Sequence, residues 1–174
     1  YAASKAAAEM LAGEAATRTG LPVTIARLFN QLGPGQPGSQ VPAGFAASIA
    51  QAETEGAASV KLEVGTPDAR RDYTDTRDTA RALRLVSERR VTGRLNFCSG
   101  RTHSLARLID GLSAASEIAV EVVHRPERAN RNDVPVIAGS PARLKGATGW
   151  QPQVPLERTL SEMLESRRCS LSGG

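Results

Sequence analysis

Apolar and polar positions along this chain switch between helical spacing and short continuous apolar runs. Residues 1–19 are dense in alanine, with Met10 and Leu11 as the larger apolar side chains, and Gly20 supplies a stop, so a first helix is predicted. The run Leu21-Pro22-Val23-Thr24-Ile25-Ala26-Arg27-Leu28-Phe29 is mostly apolar and rich in β-branched residues, the pattern of a strand covered on both faces. Helix, glycine, then buried strand is the rhythm of a parallel α/β sheet. Phe45, Ala46 and Ile49 turn inward from a helix over about 42–55, and Val60-Lys61-Leu62-Glu63-Val64 alternates like a half-exposed strand. The polar segment 65–75 reads as a loop carrying Arg70 and Arg71, followed by a helix over 76–89 with Asp75 as N-cap and Asp78 beside its positive end. Residues 94–98 and 118–123 read as strands, Ser104 as the cap of a helix to about 115, and 141–147 and 156–168 as two closing helices. Residues 170–174 read as a frayed tail.

Composition narrows the function classes. With 174 residues, 40% of them apolar, the chain can bury the core of one ordinary domain or of the larger part of a two-lobed one. Its net charge of +4 is carried almost wholly by arginine, since the lysines are Lys5, Lys61 and Lys145 alone. Arginine suits bidentate phosphate recognition. The arginines are dispersed, however, and aromatic residues make up 3%, which argues against nucleic acid as a partner. No run approaches the roughly 18 apolar residues of a membrane span, so no membrane partner is expected. Cys98 and Cys169 lie far apart and in no metal-ligand spacing; neither a disulfide nor a metal site is expected, and a reducing cytoplasm suits them. The chain opens on Tyr rather than Met and reads as a fragment.

Candidate chemistry begins at that tyrosine. Helix positions four apart lie about 40° from each other, one turn up, so Tyr1 and Lys5 are neighbours. A phenol titrating near pH 10 is a poor acid–base group at neutral pH, and an adjacent fixed cation favours the phenolate. The spacing alone equally suits a helix that simply begins with tyrosine. Asn30 ends the first strand, and the loop 31–40 after it lies where open α/β sheets bind ligands. That loop spells Gly33-x-Gly35-x-x-Gly38, but Pro34 and Pro37 remove donors that a phosphate cradle needs, so a dinucleotide fingerprint is not favoured. Asp75 and Asp78 are read as capping residues, whereas Arg70 and Arg71 are free to reach a phosphate.

An ordered set of motifs adds a resemblance. Tyr1-Ala-Ala-Ser-Lys5-Ala-Ala-Ala-Glu9, Ala26-Arg27-Leu28-Phe29-Asn30 with Gly33-Pro34-Gly35-Gln36, Arg71-Asp72-Tyr73-Thr74-Asp75-Thr-Arg-Asp78, Asn96-Phe-Cys-Ser-Gly100 and Thr148-Gly149-Trp150-Gln-Pro152 occur in one order. The chain resembles the extended short-chain dehydrogenases/reductases of the NAD-dependent epimerase/dehydratase type that act on nucleotide sugars. It looks most like the GDP-4-keto-6-deoxy-mannose reductases and the neighbouring GDP-mannose 4,6-dehydratases, covering their C-terminal part from the catalytic tyrosine onward.

The resemblance implies an α/β fold, the C-terminal part of a Rossmann-like doubly wound parallel sheet plus a small α/β substrate-binding lobe. Residues 1–40 and about 75–100 would belong to the dinucleotide-binding domain, and about 41–74 and 101–169 to the nucleotide-sugar lobe. It implies Tyr1 as general acid and Lys5 as the ribose-holding cation, with Phe29 and Asn30 beside an NADP or NAD cofactor. Asn30, Gln40, Val41, Phe45, Arg71, Arg131 and Asp133 would meet a GDP-linked sugar, Arg71 at the diphosphate. Such families show Arg-Pro-x-Asp or Arg-Pro-x-Glu near the last two, where Asn130 stands in the arginine's place. The glycine-rich βαβ unit and the Ser or Thr that assists the tyrosine precede it in such enzymes, so the isolated fragment is expected to be nearly inactive. A homodimer is implied for the full-length protein. Dehydratase, epimerase and non-catalytic sugar-binding readings stay open.

Overall fold

The structure, a computed structural model, describes residues 1–129 and 134–173. In chain order the elements are α1 (Ala2–Thr19), β1 (Thr24–Leu28), β2 (Asn30–Leu32), α2 (Ala43–Thr54), β3 (Ser59–Val64), β4 (Arg70–Asp75) and α3 (Thr76–Glu88). There follow β5 (Gly93–Phe97), β6 (Thr102–Ser104), α4 (Leu105–Ala115), β7 (Ala119–His124), β8 (Val136–Ile137), α5 (Ala142–Thr148) and α6 (Leu156–Ser172). β1 pairs with β5, β2 with β4, and β3 with β7, each in parallel, while β6 runs antiparallel to β4 and β8 parallel to it.

Two apolar clusters organise the chain. The larger gathers Leu32, Ile49, Leu62, Val64, Tyr73, Leu108, Leu112, Leu160 and Leu164, closing α2, α4 and α6 over β2, β3 and β4. Helices with apolar residues every three or four positions bury one stripe, and here the stripes of α2, α4 and α6 meet. The smaller gathers Ala82, Val86, Leu95, Phe97, Leu144 and Trp150, packing α3 and α5 on β5. Among the described residues no helix is long and apolar enough to cross a membrane.

Three local expectations need correction. Residues 70–75 form a strand, not a loop, so Arg70 and Arg71 project from a hydrogen-bonded element between β6 and β8. The reason is a buried carboxylate: Asp72 accepts from Ser99 N at 2.7 Å, Ser99 Oγ at 2.7 Å and Gly100 N at 2.8 Å. A polar residue so satisfied can point inward. Residues 170–172 do not fray, because α6 continues to Ser172 with Ser170 Oγ and Ser172 Oγ donating one turn back to the carbonyls of Ser166 and Arg168. Asp78 does more than sit at the start of α3. It accepts from the backbone N–H groups of Gln153 and Val154 at 2.8 and 2.9 Å, and Trp150 Nε1 donates to its carbonyl at 2.9 Å. Asp75 caps α3 as expected, taking Arg77 N at 2.8 Å, and also accepts from the Thr159 hydroxyl at 2.7 Å.

Candidate active site

Tyr1 stands at the N-cap of α1 with its side chain 95% exposed. The helix it opens is regular from the outset, Lys5 N donating to Tyr1 O at 3.1 Å and Ser4 Oγ to the same oxygen at 2.7 Å. One turn on, the Lys5 ammonium lies 5.5 Å from the centre of the Tyr1 ring. That is the cation-over-ring separation at which the ring quadrupole and the ammonium attract. A phenol and an ammonium thus face the same exposed space, as the four-residue spacing requires.

β1 leads from this helix to the second group. Phe29 N donates to Phe97 O at 3.1 Å, extending the β1–β5 ladder by one residue. The Phe29 ring lies against Gly139, where a Cβ would come within 2.7 Å of it and within 2.6 Å of Cys98 Sγ. Burial, with the charge of Asp72 second, pushes the Cys98 thiol up to about 11, so it is an inert filler rather than a nucleophile. Asn30 follows, exposed at the start of β2, with Tyr73 of β4 as its register partner. Arg71 lies two residues before Tyr73, so β4 carries it onto the same face, about 7 Å along the strand. Its Nη1 donates to Arg70 O at 2.8 Å, and His103 and Ile137 are its strand neighbours. Burial and the nearby Arg107 hold His103 below the usual histidine range, leaving it neutral at pH 7.

Tyr1 and Lys5 thus adjoin on α1, and Asn30 and Arg71 lie on the paired strands β2 and β4, with Phe29 just after β1. Gln40 and Val41 are exposed just before α2, Gln40 Oε1 accepting from Gln36 Nε2 at 2.9 Å. Phe45 is half-buried against the larger core. Arg131 and Asp133 lie outside the described residues.

In the 33–38 loop Gly33 serves packing and Gly35 a turn. A Cβ on Gly33 would stand 2.4 Å from Thr76 Oγ1, and one on Gly44 would stand 2.6 Å from the Gly38 carbonyl oxygen. The loop closes on the starts of α3 and α2, and Gly35 takes a left-handed turn at φ 78°. It is not built as a phosphate cradle.

Two residues were not singled out from the sequence. Asp72 locks β4 to the turn after β5, and Glu9 of α1 binds Arg27 and Arg94. Glu9 had a visible signal, because it continues the four-residue spacing of Tyr1 and Lys5. Asp72 had none beyond its place in a polar run.

A model of the family described as GDP-mannose 4,6 dehydratase matches residues 1–163. GDP-6-deoxy-D-mannose reductase of Pseudomonas aeruginosa is 38% identical over 165 residues, covering 94% of this chain and 54% of that protein. GDP-6-deoxy-D-talose 4-dehydrogenase of Aggregatibacter actinomycetemcomitans is 27% identical, over 86% of this chain and 50% of that protein. Among solved structures, that of RMD from Pseudomonas aeruginosa complexed with NADPH superposes with a TM-score of 0.89 at 33% identity, over 98% of this chain and 56% of that one. The chain thus spans about half the length of the relatives it matches.

Proposed function

Because the chain belongs to the family of GDP-mannose 4,6 dehydratase, we propose that the whole protein is an NAD(P)-dependent nucleotide-sugar reductase that reduces the C4 keto group of GDP-4-keto-6-deoxy-mannose. The observation that carries this reading is the exposed Tyr1 phenol with the Lys5 ammonium 5.5 Å from its ring, at the head of a helix followed by β1, with Asn30 opening β2 just beyond it. The 38% identity to a GDP-6-deoxy-D-mannose reductase supports the direction of the reaction.

The cofactor is fitted at one end. Tyr1 and Lys5 offer the phenol and ammonium that would meet its nicotinamide ribose, with Phe29 and Asn30 beside them, whereas the 33–38 loop supplies no cradle for the pyrophosphate. The dinucleotide, when bound, supplies the hydride. Tyr1 Oη donates its proton to the C4 carbonyl oxygen, and the Lys5 charge stabilises the phenolate left behind. Arg71 holds the substrate diphosphate from β4, where a guanidinium can pair two phosphate oxygens at once. Asn30 orients the sugar, and Gln40, Val41 and Phe45 border the base. Arg131 and Asp133 complete the nucleotide ribose contacts. The dinucleotide domain takes in 1–40 and about 75–100, and the substrate lobe about 41–74 and 101–169. The alanine-rich α1, with Leu11 exposed on it, suits pairing of two copies. Two cysteines free of any disulfide suit the cytoplasm.

Incubating the whole protein with GDP-4-keto-6-deoxy-mannose and NADPH tests the reading. NADPH oxidation with formation of a GDP-6-deoxyhexose is expected. No oxidation, together with turnover of GDP-mannose itself, would replace the reductase by the dehydratase that the family's description names.

A further inference from the structure

The helix that presents Tyr1 and Lys5 meets the sheet of this chain along one side, with Glu9 at its middle. None of its residues is buried. Beyond its midpoint, a gap of about 710 Å³ separates it from the sheet, lined by Met10, Gly13, Thr17, Val23 and Ile25 among others. Besides a half-buried stripe at Ala12, Gly13, Ala15 and Ala16, one carboxylate joins the helix to the sheet. Glu9 Oε2 accepts from Arg27 Nε at 2.9 Å, and Glu9 Oε1 from Arg27 Nη2 at 2.5 Å and from Arg94 Nε at 2.6 Å. Arg27 lies on β1 and Arg94 on β5. Arg94 is the register partner of Ile25, two residues from Arg27, so both guanidiniums rise from the same face of the sheet.

We infer that Glu9 is a positioning residue for the Tyr1–Lys5 pair: through Arg27 and Arg94 it sets the rotation and height of α1 over the β1–β5 sheet, and with them the place of the phenol. The inference rests on the reductase reading for its catalytic consequence, not for its geometry. Glu9 sits two turns from Tyr1 and one from Lys5, about 12 and 6 Å along the helix axis. Arg27 lies three residues before Asn30, about 10 Å along the strand. A rigid clamp at this point therefore links the proton donor to the strand end that meets the sugar. The fork of Arg27 fixes direction as well as distance, because both of its donors must find carboxylate oxygens in one plane. Glu9 is largely covered, its side chain 19% exposed, unlike the solvated pair of Arg18 and Glu14 later on the same helix. Arg27, ahead of Arg94, holds the Glu9 carboxyl below its usual range, so it is ionised across the neutral range. Without it two guanidiniums would share one face with no counter-charge between them.

Glu9→Gln, made in the whole protein, tests this against Glu14→Gln as control. With GDP-4-keto-6-deoxy-mannose and NADPH, Glu9→Gln is expected to lower kcat about ten- to a hundredfold, since roughly 1 Å of misplacement has that effect. The KM for the sugar, set from the Arg71 side, should change less than about twofold, and Glu14→Gln should leave both unchanged. In a Tyr1→Phe background Glu9→Gln should cause no further loss, because a residue acting through the phenol has nothing left to position. An equal loss in both backgrounds, or an unchanged kcat, would overturn the inference. A second readout needs no activity. Amide exchange in residues 6–11 should quicken about fivefold in Glu9→Gln while α2 stays unchanged, in keeping with the loss of a small ion-pair network. Unchanged exchange in α1 would sink the clamp even if the enzyme is active. Inactive wild type with quickened α1 exchange would instead sink the reductase reading and leave the clamp standing.

Discussion

The helix that carries Tyr1 and the strand that carries Arg71 are held in opposite ways. In this chain α1 fully buries no residue, and Glu9 ties it to the sheet by ion pairs. β4 buries four residues in succession, Asp72 to Asp75, flanked by β2, β6 and β8. On the strand, position is over-determined by ladder bonds, apolar contact and the three donors on Asp72. On the helix it hangs on charge. Within this chain the proposed diphosphate side is therefore held by more kinds of contact than the proposed proton donor.

The largest effect expected from this contrast is chemical without being structural. Tyr1→Phe in the whole protein should lower kcat about 10²- to 10⁴-fold, the usual range for a general acid. In the 174-residue chain, where the side chain is 95% exposed, the same substitution should leave stability within about 0.5 kcal/mol of wild type. A matching fall in melting temperature would mean that Tyr1 is structural, and the contrast would fail.

Asp72→Ala should do the reverse. It leaves the amides of Ser99 and Gly100 and the Ser99 hydroxyl short of their acceptor, in a site where Asp72 is 0% exposed. About 3 kcal/mol of unfolding free energy should be lost, measured by urea denaturation, with Asp72→Asn recovering about half because it keeps one acceptor oxygen. A loss below about 1 kcal/mol would show that β4 is held by its neighbours and not by this carboxylate.

The same contrast explains what could be read from the sequence. Helices α3 and α4 were legible because apolar period and cap coincide, Asp75 and Ser104 each accepting the amide two or three residues ahead, and α2 from its apolar period alone. Strands β1, β3, β5 and β7 were legible from apolar or alternating runs. β4 was not, because its inward positions include Asp72 and Thr74, and nothing local announces that Ser99 and Gly100, 27 and 28 residues away, will satisfy the carboxylate. β6 and β8, three and two residues long, are shorter than any periodic signal. Tyr1 and Lys5 were legible because a helix turn is local. The Glu9 clamp was only half so: its spacing is local, but its partners depend on how α1 lies across β1 and β5.

Gly33→Ala distinguishes packing from phosphate binding in the proline-flanked loop. The added methyl would meet Thr76 Oγ1 at 2.4 Å and Thr76 Cγ2 at 3.3 Å, at the first residue of α3. Overpacking of this kind typically costs about 1–3 kcal/mol, and some 2 kcal/mol is expected from thermal or urea unfolding. Thr76→Ala in the same chain should recover most of it, while NADPH affinity in the whole protein stays unchanged. A selective loss of NADPH affinity with stability intact would restore the loop as a dinucleotide site.

The smallest effect is a pH dependence that compares the two carboxylate clamps directly. Glu53 of α2 takes Arg168 Nε at 2.8 Å and Arg168 Nη2 at 2.9 Å, with the Glu117 amide at 2.9 Å, tying α2 to α6 and to the end of α4. Arg168 first, against the opposing effect of burial, holds its carboxyl down to about 2. Glu9 is also lowered, chiefly by Arg27. Both folded-state values lie below the unfolded one, so both clamps are fully present above about pH 4.5 and are lost as pH falls through the folded values. Glu53 lies on α2, which packs in the larger apolar cluster, with its side chain 8% exposed, so Glu53→Gln should cost about 1 kcal/mol at pH 7, and that gap from wild type should close as pH falls toward 2. Glu9→Gln should barely move the melting temperature at either pH, because α1 buries nothing that its release would expose. If Glu9→Gln instead lowers the melting temperature as much as Glu53→Gln, the Tyr1 helix is as much a part of the cooperative fold as α2, and the two ends of the site are held alike after all.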